Sequence, residues 1–116
     1  MPTVAILGAS RSRRKYGNKA VRAYRAQGWD VYPVNPKGGE IEGLKVYRSI
    51  GEVPVERLDR VSVYLPPAIG VRVLDEIAAK GCDELWLNPG SDAPEVVAKA
   101  RELGLEPIVA CSIVNG

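Results

Sequence analysis

Small residues and positive charges lie together near the start of the chain, at a spacing suited to binding phosphate. Gly8-Ala9-Ser10 is followed by a basic stretch that includes Arg14 and Lys15, and then by Tyr16-Gly17-Asn18. Small residues let the backbone approach a phosphate closely, and the N–H groups at a helix N-terminus attract anions. The segment is neither a complete G-x-G-x-x-G motif nor a Walker A loop. Taken alone, it indicates either a tight turn or a phosphate site.

A second turn carries a lysine where many nucleotide-binding domains carry an acid. It has the sequence Val34-Asn35-Pro36-Lys37-Gly38-Gly39. A domain that binds NAD uses Asp or Glu at this place to accept hydrogen bonds from the ribose hydroxyls. Lys37 instead suits a phosphate on the adenosine ribose, as found in NADP or coenzyme A. The other interpretation is an exposed turn lysine without a ligand.

Charge is distributed unevenly along the chain. Residues 1–29 contain seven basic and no acidic side chains, so the remaining residues hold nine basic against fourteen acidic ones. Such a positive region attracts phosphate, although it also fits a solvated helix face. A nucleic-acid partner is disfavoured, because such a site usually adds exposed aromatic rings. Apart from Tyr16, the basic stretch offers only Tyr24, which falls on the core face of the predicted helix.

Apolar runs alternate with helical patterns along the whole chain. We predict strands over residues 3–8, 30–34, 60–65, 84–88 and 107–111, and helices over 18–27, 71–80 and 94–103. Residues 37–58 are expected to be irregular, apart from an extended stretch at 45–47 and a helical turn from Ser49. This alternation predicts an α/β protein with a Rossmann-like three-layer α/β/α fold and a five-stranded parallel sheet. The length fits one domain, residues 1–116.

Turn residues follow four of the predicted strands, and all four turns should meet at one edge of the sheet. They are Gly8–Ser10, Asn35–Lys37, Pro66–Pro67 and Asn88–Gly90. Ligands of parallel α/β sheets lie at the carboxyl ends of the strands, where the strand order reverses. We therefore expect the binding site at this edge. The double proline has a second interpretation as a rigid strand terminator.

Six segments of the chain together resemble the small CoA-binding domain proteins. They are VAILGAS, KYGN, VYPVNPK, GLKVYRSI, VYLPP and WLNPG, which follow one another in this order between residues 4 and 90. The same domain is similar to the N-terminal half of the succinyl-CoA synthetase alpha subunit, where a Pro-x-Lys-Gly-Gly turn holds a phosphate. Pro36-Lys37-Gly38-Gly39 is one residue shorter than that turn.

The resemblance implies coenzyme A or an acyl-CoA as the ligand. Gly8 to Ser10 would line the pyrophosphate, Lys37 would contact the 3′-phosphate, and the double proline would form an apolar wall beside the adenine or the pantetheine arm. The amides at Gly17 and Asn18 would assist at the pyrophosphate. The full implied set is Gly8, Ala9, Ser10, Arg14, Lys15, Tyr16, Gly17, Asn18, Val34, Asn35, Pro36, Lys37, Leu65, Pro66, Pro67, Asn88, Pro89 and Gly90.

The residues that are missing restrict the chemistry. The chain has no histidine, which excludes Ser-His-Asp and Cys-His catalysis, the usual zinc sites and the phosphohistidine chemistry of the synthetase alpha subunit. The expected site edge holds no carboxylate except Asp92, which we interpret as a helix cap. We therefore predict a stand-alone, non-catalytic binding module. The alternative is an NADP- or other nucleotide-binding domain of a reductase-like protein.

Cysteine usage and hydropathy indicate the setting. Cys82 and Cys111 lack a paired spacing, which favours free thiols in a reducing compartment, the cytoplasm. No stretch approaches the ~18 consecutive apolar residues of a membrane span. Both a monomer and a homodimer are compatible with the sequence.

Overall fold

The computed structural model describes residues 1–116, in which one parallel sheet is the central element. In chain order, the elements are β1 (Thr3–Leu7), α1 (Tyr16–Ala26), β2 (Asp30–Val34), β3 (Glu40–Ile41), β4 (Leu44–Lys45), a 3₁₀ turn (Ile50–Glu52), β5 (Leu58–Val63), α2 (Pro67–Lys80), β6 (Cys82–Leu87), α3 (Pro94–Glu102), β7 (Pro107–Val109) and α4 (Ser112–Asn115). None of the helices is long and apolar enough to cross a bilayer.

The strand order of the sheet is β2-β1-β5-β6-β7, with every pairing parallel. Leu7 at the end of β1 pairs with Val34 on one side and with Val63 on the other. The chain therefore leaves β1 in one direction to form β2 and returns to the opposite side to form β5. This reversal between β1 and β5 is the place where doubly wound sheets bind their ligands. The predicted Rossmann-like fold is confirmed.

Helices cover both faces of the sheet, so its strands are apolar on both sides. Ala5 and Leu7 of β1 belong to the core cluster beneath α2 and α3, whereas Val4 and Ile6 belong to the cluster beneath α1. This alternation explains why β1 reads as an unbroken apolar run rather than as an alternating pattern. Tyr24 of α1 is buried, as the helical spacing predicts.

Helix α2 begins four residues earlier than the prediction of Val71, directly at the double proline. Pro66 is extended, with φ −57° and ψ 148°, and Pro67 is the first residue of the helix. Proline is well tolerated there, because the first N–H groups of a helix have no partner within it. The double proline therefore both ends the extended segment after β5 and starts α2. The predicted strand over 107–111 is also too long, because β7 ends at Val109 and Ser112 already begins α4.

Residues 40–45 form a small hairpin that the sequence analysis did not identify. Glu42 and Gly43 occupy its turn with φ of +50° and +79°, which matches the two positive φ angles of a type I′ turn. Tyr47 leaves the hairpin and bridges to Val34 at the edge of β2. The expected extended stretch at 45–47 is confirmed, because Lys45 belongs to β4 and Tyr47 bridges to Val34. What the sequence did not reveal is that β4 pairs with β3 in a hairpin whose turn lies beside α1.

Candidate ligand-binding site

An open cleft of about 520 Å³ lies at the carboxyl edge of the sheet, at the reversal between β1 and β5. We call it the edge cleft. The loops after β1, β2, β5 and β6 all contribute to it, as the positions of the turn residues predict. Its lining residues are Gly8, Ala9, Ser10, Lys15, Tyr16, Gly17, Asn35, Tyr64, Leu65, Pro66, Pro67, Pro89, Gly90 and Ser91. All of these except Tyr64 and Ser91 are among the site residues proposed from the sequence.

Two glycines let α1 approach the loop between β1 and α1 closely; we call this loop, residues 8–15, the first loop. Gly8 has φ +87°, and a Cβ there would overlap the carbonyl oxygen of Tyr64. A Cβ on Gly17 would overlap the carbonyl oxygen of Gly8 and lie 3.3 Å from Cα of Ala9. Any larger residue at either position would force the helix, the first loop and the loop after β5 apart. The floor of the edge cleft therefore depends on both glycines.

Backbone donors at this floor have no partner within the protein. The N–H groups of Ala9, Ser10, Tyr16 and Gly17 make no internal hydrogen bond, whereas that of Asn18 donates to the carbonyl of Lys15 at 3.1 Å. Unpaired N–H groups at a loop and a helix N-terminus form a positive concavity that suits an anion. Gly17, but not Asn18, can therefore supply a backbone donor to a ligand.

The basic residues of the N-terminal region divide into two groups. Four of them hold neighbouring loops: Arg11 donates to the carbonyl of Gly38, Arg13 pairs with Glu42, Arg22 donates to the carbonyl of Arg13, and Arg25 donates to the carbonyl of Glu42. Arg14, Lys15 and Lys19 are exposed and make no side-chain hydrogen bond or ion pair, although the Lys19 ammonium lies over the Tyr16 ring, 4.7 Å from its centre. Lys15 lines the edge cleft, and Arg14 precedes it directly outside. The free positive charge is thus concentrated at the start of α1.

Asn35 joins the first loop to the lysine-containing turn. Its side-chain amide donates to the carbonyl of Ala9 at 2.9 Å, and its amide oxygen accepts the N–H of Lys37 at 2.9 Å. Arg48 donates to the carbonyl of Pro36 at 3.0 Å and holds the turn from the opposite side. The side chain of Lys37 is exposed, lies outside the edge cleft and has no partner in the protein.

A smaller apolar cavity of about 70 Å³ lies between the turn after β2 and α2. Val34 and Pro36 line one side of it, and Leu65 and Ile69 line the other. Gly8 and Leu65 also line the edge cleft, so the two spaces adjoin. This places the predicted residues Val34 and Pro36 next to the edge cleft rather than inside it.

Asn18 is fully buried and is occupied by protein contacts. Its amide nitrogen donates to the carbonyl of Ser10 at 2.8 Å and to Glu42 at 3.1 Å, and its amide oxygen accepts Nε of Arg22 at 2.8 Å. Its side chain therefore shapes the loop after β1 and does not line the edge cleft. Glu42, which the sequence analysis did not consider, is the carboxylate that completes this network.

Asn88 is likewise buried at 1% exposure. It donates to the hydroxyl of Ser62 at 2.8 Å and the carbonyl of Val63 at 2.9 Å, and it accepts the N–H of Ser112 at 2.8 Å. The Ser112 hydroxyl completes the network by contacting Ser62 at 2.7 Å and the hydroxyl of Tyr64 at 3.3 Å. This network fixes the start of α4 against the sheet.

The two lining residues that the sequence analysis missed close the cleft between β5 and β6. Ser91 donates to the carbonyl of Leu65 at 2.7 Å and accepts its N–H at 2.9 Å, which joins the two loops. Burial raises the pKa of the Tyr64 hydroxyl, which therefore stays neutral. Asp92 is not a helix cap, because it accepts the N–H of Gly90 at 3.3 Å instead. No cluster of His, Cys, Asp and Glu suitable for a metal ion is present.

Known proteins share both the sequence and the fold of this chain. A family model described as a CoA binding domain matches residues 2–116. An acetate–CoA ligase (ADP-forming) from Methanocaldococcus jannaschii is 34% identical over 79 residues, or 68% of this chain and 11% of its own length. A trans-feruloyl-CoA synthase from an unknown prokaryotic organism is 37% identical over 117 residues, or 89% of this chain and 16% of its own. The chain thus spans less than a fifth of either enzyme.

A solved structure matches along its whole length. The conserved hypothetical protein from Pyrococcus furiosus is 34% identical and superimposes with a TM-score of 0.87. The match covers 100% of this chain and 100% of that protein's chain. Related sequences therefore occur both in a solved structure of the same fold, which this chain covers completely, and as a small part of a much longer ligase.

Proposed function

The chain belongs to the CoA-binding domain family, and on that premise we propose that it binds coenzyme A across the carboxyl edge of its sheet. The observation that carries the proposal is the floor of the edge cleft. There, unpaired backbone N–H groups of the first loop and of α1 lie beside Lys15. A diphosphate is the part of coenzyme A that such a floor would hold.

The pyrophosphate would lie against the first loop and the start of α1. Ala9, Ser10 and Gly17 would donate their N–H groups, and Lys15 with Arg14 would supply charge. Charge-assisted hydrogen bonds of this kind are stronger than neutral ones. Arg22 and Arg25 have no such role, because both donate to the protein itself.

The adenosine end would lie toward β2. The 70 Å³ apolar cavity opens there between Pro36 and Leu65, and an adenine ring would cover its mouth. Lys37 follows Pro36 and has no partner in the protein, so its ammonium group is available for the 3′-phosphate of coenzyme A. Arg48 and Asn35 hold the turn that presents it.

We further propose that these residues bind without performing chemistry. No carboxylate lines the edge cleft, and the chain contains no histidine to carry a phosphoryl group. Neither serine of the cleft is hydrogen-bonded to a lysine or a carboxylate: Ser10 accepts the N–H of Ser12, and Ser91 is bonded to Leu65. Incubation with ATP, acetate and coenzyme A should therefore give no acyl-CoA; its formation by the purified chain would refute this part of the proposal.

Calorimetric titration with coenzyme A and dephospho-coenzyme A tests the ligand and its orientation together. We expect a preference of roughly ten- to a hundredfold for coenzyme A, the magnitude of one charge-assisted contact. Lys37→Gln should abolish the preference without weakening dephospho-coenzyme A, while Lys15→Gln should weaken both ligands. Arg101→Gln is the matched control, because it removes the same charge from an exposed position on α3.

Two results would contradict the proposal. Absence of binding by either ligand would refute coenzyme A as the ligand. Equal affinities for both ligands in the unmodified protein would refute the role given to Lys37.

A further inference from the structure

A second cavity of about 330 Å³ adjoins the edge cleft on the side away from β2. We call it the side cavity. It is lined by Tyr16, Tyr64, Asn88, Pro89, Cys111 and Val114. Tyr16, Tyr64 and Pro89 also line the edge cleft, so the two spaces share a wall. A ligand that extends along the edge cleft toward β6 therefore reaches the side cavity.

The position of the side cavity follows the strand order. Lys37 comes after β2, at one end of the sheet, and Cys111 comes after β7, at the other. Four steps between neighbouring strands separate them, which at ~4.8 Å each is roughly 19 Å. An elongated ligand whose phosphate-bearing end lies at β2 would thus direct its opposite end toward β6 and β7.

The walls of the side cavity offer an apolar surface. Asn88 is its most polar side chain, but both of its amide hydrogens and its oxygen are already engaged by Ser62, Val63 and Ser112. The hydroxyl of Tyr64 contacts Ser112. No lysine, arginine or carboxylate lines the cavity. A carboxylate held against these walls would have no cation among the lining residues to pair with, since the nearby Lys19 ammonium lies over the Tyr16 ring at 4.7 Å from its centre, and this disfavours a charged group there.

We propose that the side cavity receives the thiol end of coenzyme A together with an uncharged acyl group attached to it. This inference rests on the proposed function, because it needs the nucleotide end to lie at β1 and β2. A volume of about 330 Å³ accommodates roughly ten water-sized groups at ~30 Å³ each. Short aliphatic acyl groups fit this space, whereas acyl groups that end in a carboxylate are excluded by charge.

A series of acyl-CoA ligands tests the chemical class of the acyl group. Each buried methylene contributes ~0.8 kcal/mol, which is about a fourfold gain in affinity. Affinity should therefore rise roughly fifteenfold from acetyl-CoA to butyryl-CoA, and succinyl-CoA should bind at least tenfold more weakly than butyryl-CoA. Val114→Trp, which fills the side cavity, should remove the gain. Val109→Trp, at an exposed position outside it, should leave the gain unchanged.

A thiol footprint tests the location independently. Cys111 lies in the wall of the side cavity, and Cys82 lies outside both cavities. Butyryl-CoA should slow alkylation of Cys111 by iodoacetamide at least tenfold. Adenosine 3′,5′-bisphosphate, which lacks the pantetheine arm, should bind without protecting Cys111. Alkylation of Cys82 should change with neither ligand.

The outcomes separate the two proposals. If coenzyme A binds but the acyl series is flat and Cys111 stays unprotected, the side-cavity assignment is overturned while the proposed function stands. If succinyl-CoA binds as tightly as butyryl-CoA, the restriction to uncharged acyl groups is overturned. If neither coenzyme A nor the bisphosphate binds, both proposals are overturned.

Discussion

Replacing Asn88 with alanine removes the side chain that fixes α4 to the sheet. The N–H of Ser112 would lose its partner completely. The carbonyl of Val63 would still accept the backbone N–H of residue 88 at 3.3 Å, and the hydroxyl of Ser62 would still contact the hydroxyl of Ser112. A buried donor left unpaired costs ~1–3 kcal/mol, and each of the other two lost bonds costs ~0.5–1.5 kcal/mol. These terms sum to about 2–6 kcal/mol. Because Val63 and Ser62 each keep a second partner, we expect the lower part of that range, a loss of about 3 kcal/mol in the free energy of unfolding for Asn88→Ala.

Thermal unfolding followed by circular dichroism measures this effect. For a domain of this length, 1 kcal/mol corresponds to ~4 °C, so the midpoint should fall by about 12 °C. Asn115→Ala is the matched control, because that exposed amide contacts only the carbonyl of Cys111 within α4. It should change stability by less than ~0.5 kcal/mol.

The result that would refute this reasoning is a midpoint for Asn88→Ala within 2 °C of that for Asn115→Ala. The network of Asn88 would then contribute no measurable stability, and the polar contacts at α4 would not hold that helix in place. The measurement is made without ligand, so it separates the structural role of Asn88 from any effect on binding.

Three other substitutions or reactions test single features of the molecule. Gly17→Ala should weaken coenzyme A binding at least tenfold and lower stability by ~1–3 kcal/mol, because the new Cβ would overlap the loop after β1. Gly51→Ala, whose Cβ would have only one contact at 3.7 Å, should do neither. Equal affinities of the two variants for coenzyme A in calorimetry would contradict this. Arg60→Lys should cost ~2–3 kcal/mol in chemical denaturation, since the buried guanidinium donates to Glu84 and a tyrosine and stacks on three aromatic rings. Arg57→Lys, in an exposed pair, should cost less than ~1 kcal/mol, and equal costs would argue against a special role for the buried site. Burial raises the pKa of Cys82 to about 11, so its thiolate fraction and alkylation rate should be low at pH 8 and climb through pH 11; fast alkylation at pH 8 would contradict the buried environment.

The sheet and the cleft at its carboxyl edge could be predicted because local patterns determine them. The apolar run of β1 and the glycine that ends it are readable from neighbouring residues alone, and so is the double proline before α2. Parallel strands bring their carboxyl ends to one edge, so the turn residues of four separate loops could be assigned to one cleft without any tertiary information.

The remaining features depend on contacts between segments far apart in the chain. Glu42 reaches Asn18 through a hairpin turn with the residues Glu-Gly, which lacks the Asn-Gly or Asp-Gly sequence that signals such turns. Tyr64 lies just beyond the end of β5 but inside the predicted strand over 60–65, and nothing in the strand pattern distinguishes it from its neighbours. Ser91 lines the cleft only because it contacts Leu65, 26 positions away.

The positive charge near the N-terminus could likewise be predicted only in part from the sequence. The sequence reveals seven basic residues without an acidic one, but it does not show which of them are engaged. Arg22 lies one turn of α1 after Asn18, so their contact could be suspected from spacing. The contact of Arg11 with Gly38 could not, because it joins two loops 27 positions apart. Only the folded chain shows that Arg14 and Lys15 are available to a ligand.

Amide chemical-shift mapping with coenzyme A tests the central claim most directly, because it reports binding and location in one measurement. We expect the N–H signals of Gly8, Ser10 and Gly17 at the edge cleft to shift and to saturate at one equivalent of coenzyme A. The amides of Val31 and Leu44, at a separate cavity of about 360 Å³ beside β2, should not shift. No shifts at the carboxyl edge, or larger shifts of Val31 and Leu44 than of the edge-cleft amides, would contradict the account.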